Sequence, residues 1–175
     1  SVGNGGSFLM WGYLSAAISL AVIVMLLATN DPRYAWLYMV IPIAGFIVSG
    51  IKAYKAKRKS HVASTYASNT INNVWAIISA VFAVYAIGCL LHFGEVRSWN
   101  GMFLLGMLLP GIGTYTTGVI LKEKSIQMCG LLGVVIGTGL LRDFVCGEQV
   151  ISIMQMGQMV LSFVITLFIP GHFLI

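Results

Sequence analysis

The chain has 175 residues, 58% of them hydrophobic and only 9% charged, with a formal net charge of +5. Ordinary soluble domains carry about 25% charged residues, so a water-exposed globular surface is excluded and a membrane protein is left. Membrane β-strands are excluded as well, because the apolar runs are continuous rather than alternating and open backbone is not tolerated in lipid.

Six apolar stretches follow one another: Phe8 to Thr29, Tyr34 to Ile51, Val74 to Phe93, Trp99 to Leu121, Ile126 to Leu141 and Val150 to Ile169. A hydrocarbon core about 30 Å thick needs about 20 such residues as helix, and only the fifth stretch, sixteen residues long, is marginal. The expected fold is all-α: one transmembrane domain over residues 1–175 with six spanning helices, the second running on to Tyr54. The first stretch lacks the basic leading region of a secretory signal and its apolar run is too long for one, so it is expected to be retained. Before the third span the polar run Ser60 to Asn73 reads either as an extension of that helix or as a loop capped by Asn73.

Orientation follows from the charges between the spans. Lys52, Lys55, Lys57, Arg58, Lys59, Lys122 and Lys124 fall in the second and fourth gaps, whereas the other three gaps hold only Arg33, Arg97 and Arg142. Basic residues mark the cytoplasmic side, so the even gaps and both chain ends are expected inside. Trp11 and Trp75 then fall at inner ends, and Trp36 and Trp99 at outer ends, where indoles favour the headgroup level. The chain begins without Met and stops in apolar residues without a basic flank, which leaves room for further cytoplasmic ends where function could reside.

A shift of 64 positions lays the first pair of spans on the second: Trp11 falls on Trp75, Ser15 on Ser79, Ile23 on Ile87 and Arg33 on Arg97. After a slip of four residues, Pro42, Gly45 and Gly50 fall on Pro110, Gly113 and Gly118, sharing P-x2-G-x4-G. A fainter third copy ends in Pro170-Gly171. Such repeats imply three tandem helical hairpins around an axis along the membrane normal, with chance similarity among apolar sequences as the alternative.

Candidate functional residues cluster around the prolines. Each frees the carbonyl four residues earlier, here Tyr38, Gly106 and Thr166. Helical spacing groups Pro42, Gly45 and Ser49 on one face, and Pro110, Gly113 and Thr117 on another. With Tyr85, His92 and Tyr115 these are the candidate lining of a central cavity. The plainer reading is that small residues let helices approach closely, which also covers Gly130, Gly133, Gly137 and Gly139. Hydroxyls in Thr114-Tyr115-Thr116-Thr117 need partners, from neighbouring helices or from a bound solute. No ionisable residue lies clearly near the bilayer centre, which argues against a proton pump but allows a path for a neutral solute.

Cys89 and His92 could form a metal site with Cys146 or Glu148, and Cys89 could pair with Cys146 in an oxidising compartment; exposed loop residues and buried thiols explain the same positions. No metal and no cofactor is expected. Lys52, Lys55, Lys57, Arg58 and Lys59 could contact anionic lipid headgroups, or serve only as the topology-setting flank. That run is brief, tethered at the bilayer and free of interleaved stacking aromatics, which does not fit nucleic-acid binding. Val48-Ser49-Gly50 suggests a serine nucleophile, but no histidine is clearly placed at its depth, and metalloprotease, serine-hydrolase and phosphate-loop motifs are missing.

The opening Gly6-Ser7-Phe8-Leu9-Met10-Trp11-Gly12-Tyr13-Leu14 resembles the start of the first helix in a set of small bacterial six-helix membrane proteins with no assigned activity. The resemblance implies a bacterial cytoplasmic membrane and says nothing about mechanism. Two functions are expected from the residues themselves. The first is a non-enzymatic binding or regulatory module acting on the bilayer, a membrane partner or a second copy. The second is a passive transporter or channel for a small neutral solute, with an intramembrane enzyme a weaker third. A continuous polar cavity would favour transport, and a fully packed interior would leave surface interaction.

Overall fold

The computed structural model describes residues 5–29, 43, 44, 47, 48, 50, 51, 66–91, 96–146 and 153–174. These form α1 (Gly5–Thr29), α2 (Tyr66–Leu91), α3 (Val96–Leu121), α4 (Lys124–Val145) and α5 (Ile153–Phe163), the last continuing through a π-helical turn, Val164–Phe168, into α6 (Ile169–Phe173). Five stretches are long and apolar enough to cross a membrane: Phe8–Thr29, Tyr66–Cys89, Leu104–Leu121, Lys124–Arg142 and Met154–Phe173. Among the described residues the structure is all-helical, with the long apolar helices of a membrane protein. Most of the second expected span, Tyr34 to Ile51, lies outside the described residues; the described Ile43, Ile47 and Ile51, four apart on one helical face, are all exposed.

Three boundaries differ from the sequence reading. The third expected span begins at Tyr66, so residues 66–73 extend the helix and Asn73 is interior to it. The fifth, marginal when measured by its apolar run alone, is a helix of 22 residues, because Lys124, Ser125 and the polar Arg142 end join it. The last continues past Pro170 to Phe173.

Small hydroxyl residues share the interior with apolar ones, and large apolar side chains cover the outside. Ser15, Ser19, Thr114, Thr117, Ser162 and Thr166 are buried, while Leu20, Val24 and Leu27 of α1, Ile77, Val84 and Leu91 of α2, and Leu131, Leu132 and Val135 of α4 are exposed. Water would penalise that outer surface; hydrocarbon does not. Lipid in turn removes the hydrophobic drive between helices, so packing and hydrogen bonds must hold them together.

Among the described helices the most extensive contact is between α3 and α4, joined by a two-residue turn. Helix α3 ends in a Schellman arrangement: the Lys122 N–H donates to the Val119 carbonyl at 3.2 Å and the Glu123 N–H to the Gly118 carbonyl at 2.9 Å. Lys122 occupies the left-handed region, φ 58°, a conformation that usually selects glycine. The Gln127 side-chain amide donates to the same Gly118 carbonyl at 3.2 Å, tying the start of α4 to the end of α3.

Beyond the turn the two helices run antiparallel with backbones almost touching. A Cβ on Gly118 would lie 2.6 Å from the Gln127 nitrogen, one on Gly111 2.9 Å from the Val134 nitrogen, and one on Gly137 2.7 Å from the Leu108 side chain. A Cβ on Gly130 would run into the Tyr115 backbone. The buried face of α4 is thus Ile126, Gly130, Gly133, Gly137 and Leu140, one helical stripe.

The other helices attach around this pair. Helix α2 packs antiparallel on α3, with Ile78 and Trp75 against Gly113 and the Tyr85 hydroxyl against Gly101. Helix α1 packs antiparallel on the C-terminal segment, Gly12 against the Phe168 backbone and Leu9 against Gly171. A core of Phe8, Met107, Leu140, Met159, Phe163 and Leu167, bordered by Trp11 and Trp75, fills the space between. Phe8 meets Trp75 edge to face at 5.1 Å.

Replacing Gly130 with Ala should destabilise the protein by about 1–3 kcal/mol through overpacking. Gly139 has open space around it, so Gly139→Ala should stabilise by about 0.5–1 kcal/mol from helix propensity. Thermal unfolding of both variants in detergent checks this; a shift of the same sign in both would contradict the close α3–α4 approach.

Candidate functional site

The polar interior lies where α3, α4 and the C-terminal segment meet. Most threonines in the described helices, and Ser79, turn back on their own backbone. Thr29 donates to the Met25 carbonyl, Thr70 to Tyr66, Ser79 to Trp75, Thr116 to Ile112, Thr117 to Gly113 and Thr166 to Ser162, each four residues back, while Thr138 donates to Val135. Such back-bonding satisfies a hydroxyl in lipid without any other helix.

Thr114 is different. Its hydroxyl crosses to the Thr166 carbonyl at 2.7 Å, fully buried. Pro170 has no N–H to offer that carbonyl, and the π turn widens the helix just before the proline, with the Ile169 N–H donating to the Val164 carbonyl. The carbonyl that the proline frees is therefore answered from α3. Gly133 of α4 lies against the Thr166 methyl at the same level, so one residue of the C-terminal segment binds to both members of the central pair.

A second polar contact joins α2 to α3. The Trp75 indole N–H donates to the Thr117 hydroxyl at 3.2 Å, and that hydroxyl donates to the Gly113 carbonyl at 2.8 Å. Packing of the half-buried indole against Gly113 holds Trp75, beyond any headgroup preference of the ring.

The candidate lining residues separate accordingly. Pro110, Gly113 and Thr117 are all buried and share the face of α3 that receives α2. Gly113 and Gly118, grouped by the proline-glycine pattern, serve different neighbours: Gly113 meets α2 and Gly118 meets the start of α4. Tyr115 is exposed on the outside of α3. Tyr85 is half-buried, its hydroxyl hydrogen-bonded to the Cys89 thiol. The structure thus brings Pro110, Gly113 and Thr117 together, and places Tyr85 and Tyr115 elsewhere. Pro42, Gly45, Ser49, His92, Lys52, Lys55, Lys57, Arg58 and Lys59 lie outside the described residues.

Cys89 is buried, Cys129 half-buried and Cys146 exposed, and none of the three is in a disulfide. Among the described residues no three His, Cys, Asp or Glu side chains gather as a metal-binding group; His92 and Glu148 lie outside them.

Sequence reasoning passed over the buried stripe of α1, Phe8, Gly12, Ser15, Ser19 and Val22. Its signal was present as small and hydroxyl residues at helical spacing, hidden in a helix whose remaining faces are just as apolar. It also passed over Ser162, which together with Ser19 has a fully buried hydroxyl oxygen without a hydrogen-bond partner.

No protein-family model, curated protein or solved structure matches the chain.

Thr114→Val keeps the shape but leaves the Thr166 carbonyl without its donor, and should cost about 0.6–1.7 kcal/mol, the range of interhelical hydrogen bonds in membranes. Thr138→Val, which removes only an exposed back-bond, should change stability by less than about 0.5 kcal/mol. Equilibrium unfolding of the pair in mixed micelles measures the difference, and equal effects would remove the special role of Thr114.

Proposed function

We propose that this protein is a non-enzymatic, membrane-embedded binding or regulatory module that recognises a partner in the plane of the bilayer through its helix faces. One observation carries the reading. Gly113 and Thr117, described residues well suited to line a solute path, are engaged by α2, Pro110 is buried on the same face, and the hydroxyls of Thr114, Thr116 and Thr117 have protein partners. A route for a neutral solute needs such groups free to replace the solute's hydration. Helices held by backbone approach and internal hydrogen bonds instead present rigid, apolar outer faces, the kind of surface that selects a membrane partner by shape.

In this reading the chain forms six spans as three helical hairpins in a bacterial cytoplasmic membrane, with both ends and the Lys52 to Lys59 run on the cytoplasmic side. Lys52, Lys55, Lys57, Arg58 and Lys59 contact anionic headgroups there, at about 1 kcal/mol per charge near the surface. The antiparallel packing of α1 on the C-terminal segment, α2 on α3 and α3 on α4 is compatible with this threading, and so is the shared end of the bundle occupied by Trp75, Phe8 and the Lys122 turn.

Liposomes containing the purified protein should take up a panel of neutral solutes no faster than empty ones; flux above the control would replace this reading with a passive transporter. Separately, a membrane-impermeant thiol reagent added to intact cells should label a cysteine introduced at Glu95 and spare one at Lys57, and the opposite pattern would invert the threading.

A further inference from the structure

Helix α2 is the least buried of the five apolar stretches, and its one extensive contact with another described helix is with α3. Its buried side carries Ile71, Ile78, Ala86 and Cys89. On the opposite side lie Asn69, Asn73, Ala76, Ala80, Val84 and Ile87, every one of them exposed. These six recur at intervals of three and four residues, so they form one continuous stripe, and that spacing is the seam of a two-helix contact. No charged residue interrupts the helix between Tyr66 and Leu91.

The stripe is unlike the outer face of α4, where Leu131, Leu132 and Val135 offer large apolar side chains to lipid. Its inner half is small and polar. Ala76 and Ala80, four apart, let a neighbouring backbone approach closely. Among the described residues nothing hydrogen-bonds to the Asn69 or Asn73 amide. The depth of Asn73 makes this matter. Trp75, two residues further on, reaches Thr117, which lies five residues before Lys122 on α3. At about 1.5 Å per residue, Asn73 is then roughly one turn inside the charged rim at Lys122 to Lys124. An unanswered amide there is costly.

We infer that the outward stripe of α2 is a dimer interface that receives the same stripe of a second copy of this chain. Two copies inserted with the same threading meet as parallel helices about a two-fold axis along the membrane normal, so identical residues come level. Self-complementarity is what the stripe offers. A carboxamide carries both donors and an acceptor, so Asn73 can pair with Asn73 of the partner subunit, and alanine meets alanine where the backbones approach. An asparagine in such a seam also fixes register and the number of helices. With no charge on the helix, the two copies do not repel. The inference rests on the proposed recognition of a partner in the plane of the bilayer and names that partner.

Oxidative cross-linking in liposomes tests it, at a lipid excess that keeps chance encounters rare and with the exposed Cys146 removed as Cys146→Ser. A cysteine introduced by Ala80→Cys should convert to a disulfide-linked dimer, while Leu131→Cys, also exposed but on α4, should stay monomeric. Equal cross-linking at both positions, or none at position 80, would overturn the proposal. A second readout needs no disulfide. Protein labelled at its N-terminus with donor and acceptor dyes should show energy transfer between copies, which Ala80→Phe abolishes and Leu131→Phe leaves unchanged. Because position 80 is exposed, Ala80→Phe should keep the helical circular dichroism of the wild type, and energy transfer that survives in it would count against the interface. The function and the partner are judged separately: solute flux decides the first, and the cross-linking pattern decides the second.

Discussion

A helix in lipid has no solvent to fall back on, and every donor and acceptor it carries must be answered within the protein. This constraint shapes the whole bundle. Threonines fold back on their own carbonyls at exposed and buried positions alike, and Ser79 does so too, so that a hydroxyl at an outward position such as Ser79 or Thr138 costs little. What remains for contact between helices is van der Waals approach, and that requires glycine where one backbone meets another.

The α3–α4 pair is where that approach is closest. Its turn spans only Lys122 and Glu123, closes with Schellman bonds and is clamped by Gln127, so the register of the pair is set at one end. From there Gly118, Gly111, Gly130 and Gly137 keep the helices together along about three turns. Among the described helices the tightest unit therefore joins the fourth and fifth expected spans, across the boundary between two hairpins of the sequence repeat. Similarity between segments and closeness of packing are separate matters: a repeat records which sequences look alike, whereas packing depends on which small-residue stripes face each other.

The C-terminal segment is attached by the opposite device. Pro170 withdraws a donor, the π turn loosens the helix ahead of it, and Thr114 supplies the missing hydrogen bond from another helix. A local defect thus becomes a specific link, because the freed carbonyl of Thr166 is satisfied only when the segment sits at one height against α3. Gly133 fits beside the same threonine, so height and rotation are set together.

From its sequence alone the chain could be read as an all-helical membrane protein, with most helix ends within a few residues, because continuous apolar runs and sparse charge admit no other environment. The Thr166 carbonyl could be named as freed, since proline chemistry acts four residues away along the same helix. Which group answers it was decided only in three dimensions: Thr114, Thr116 and Thr117 have the same side chain, and only the rotation of α3 against its neighbours makes one cross and two fold back. The burial of Ser19 and Ser162 was likewise decided only there. In a helix apolar on every side, periodicity does not separate the face that meets protein from the face that meets lipid, and only the packed helices distinguish them.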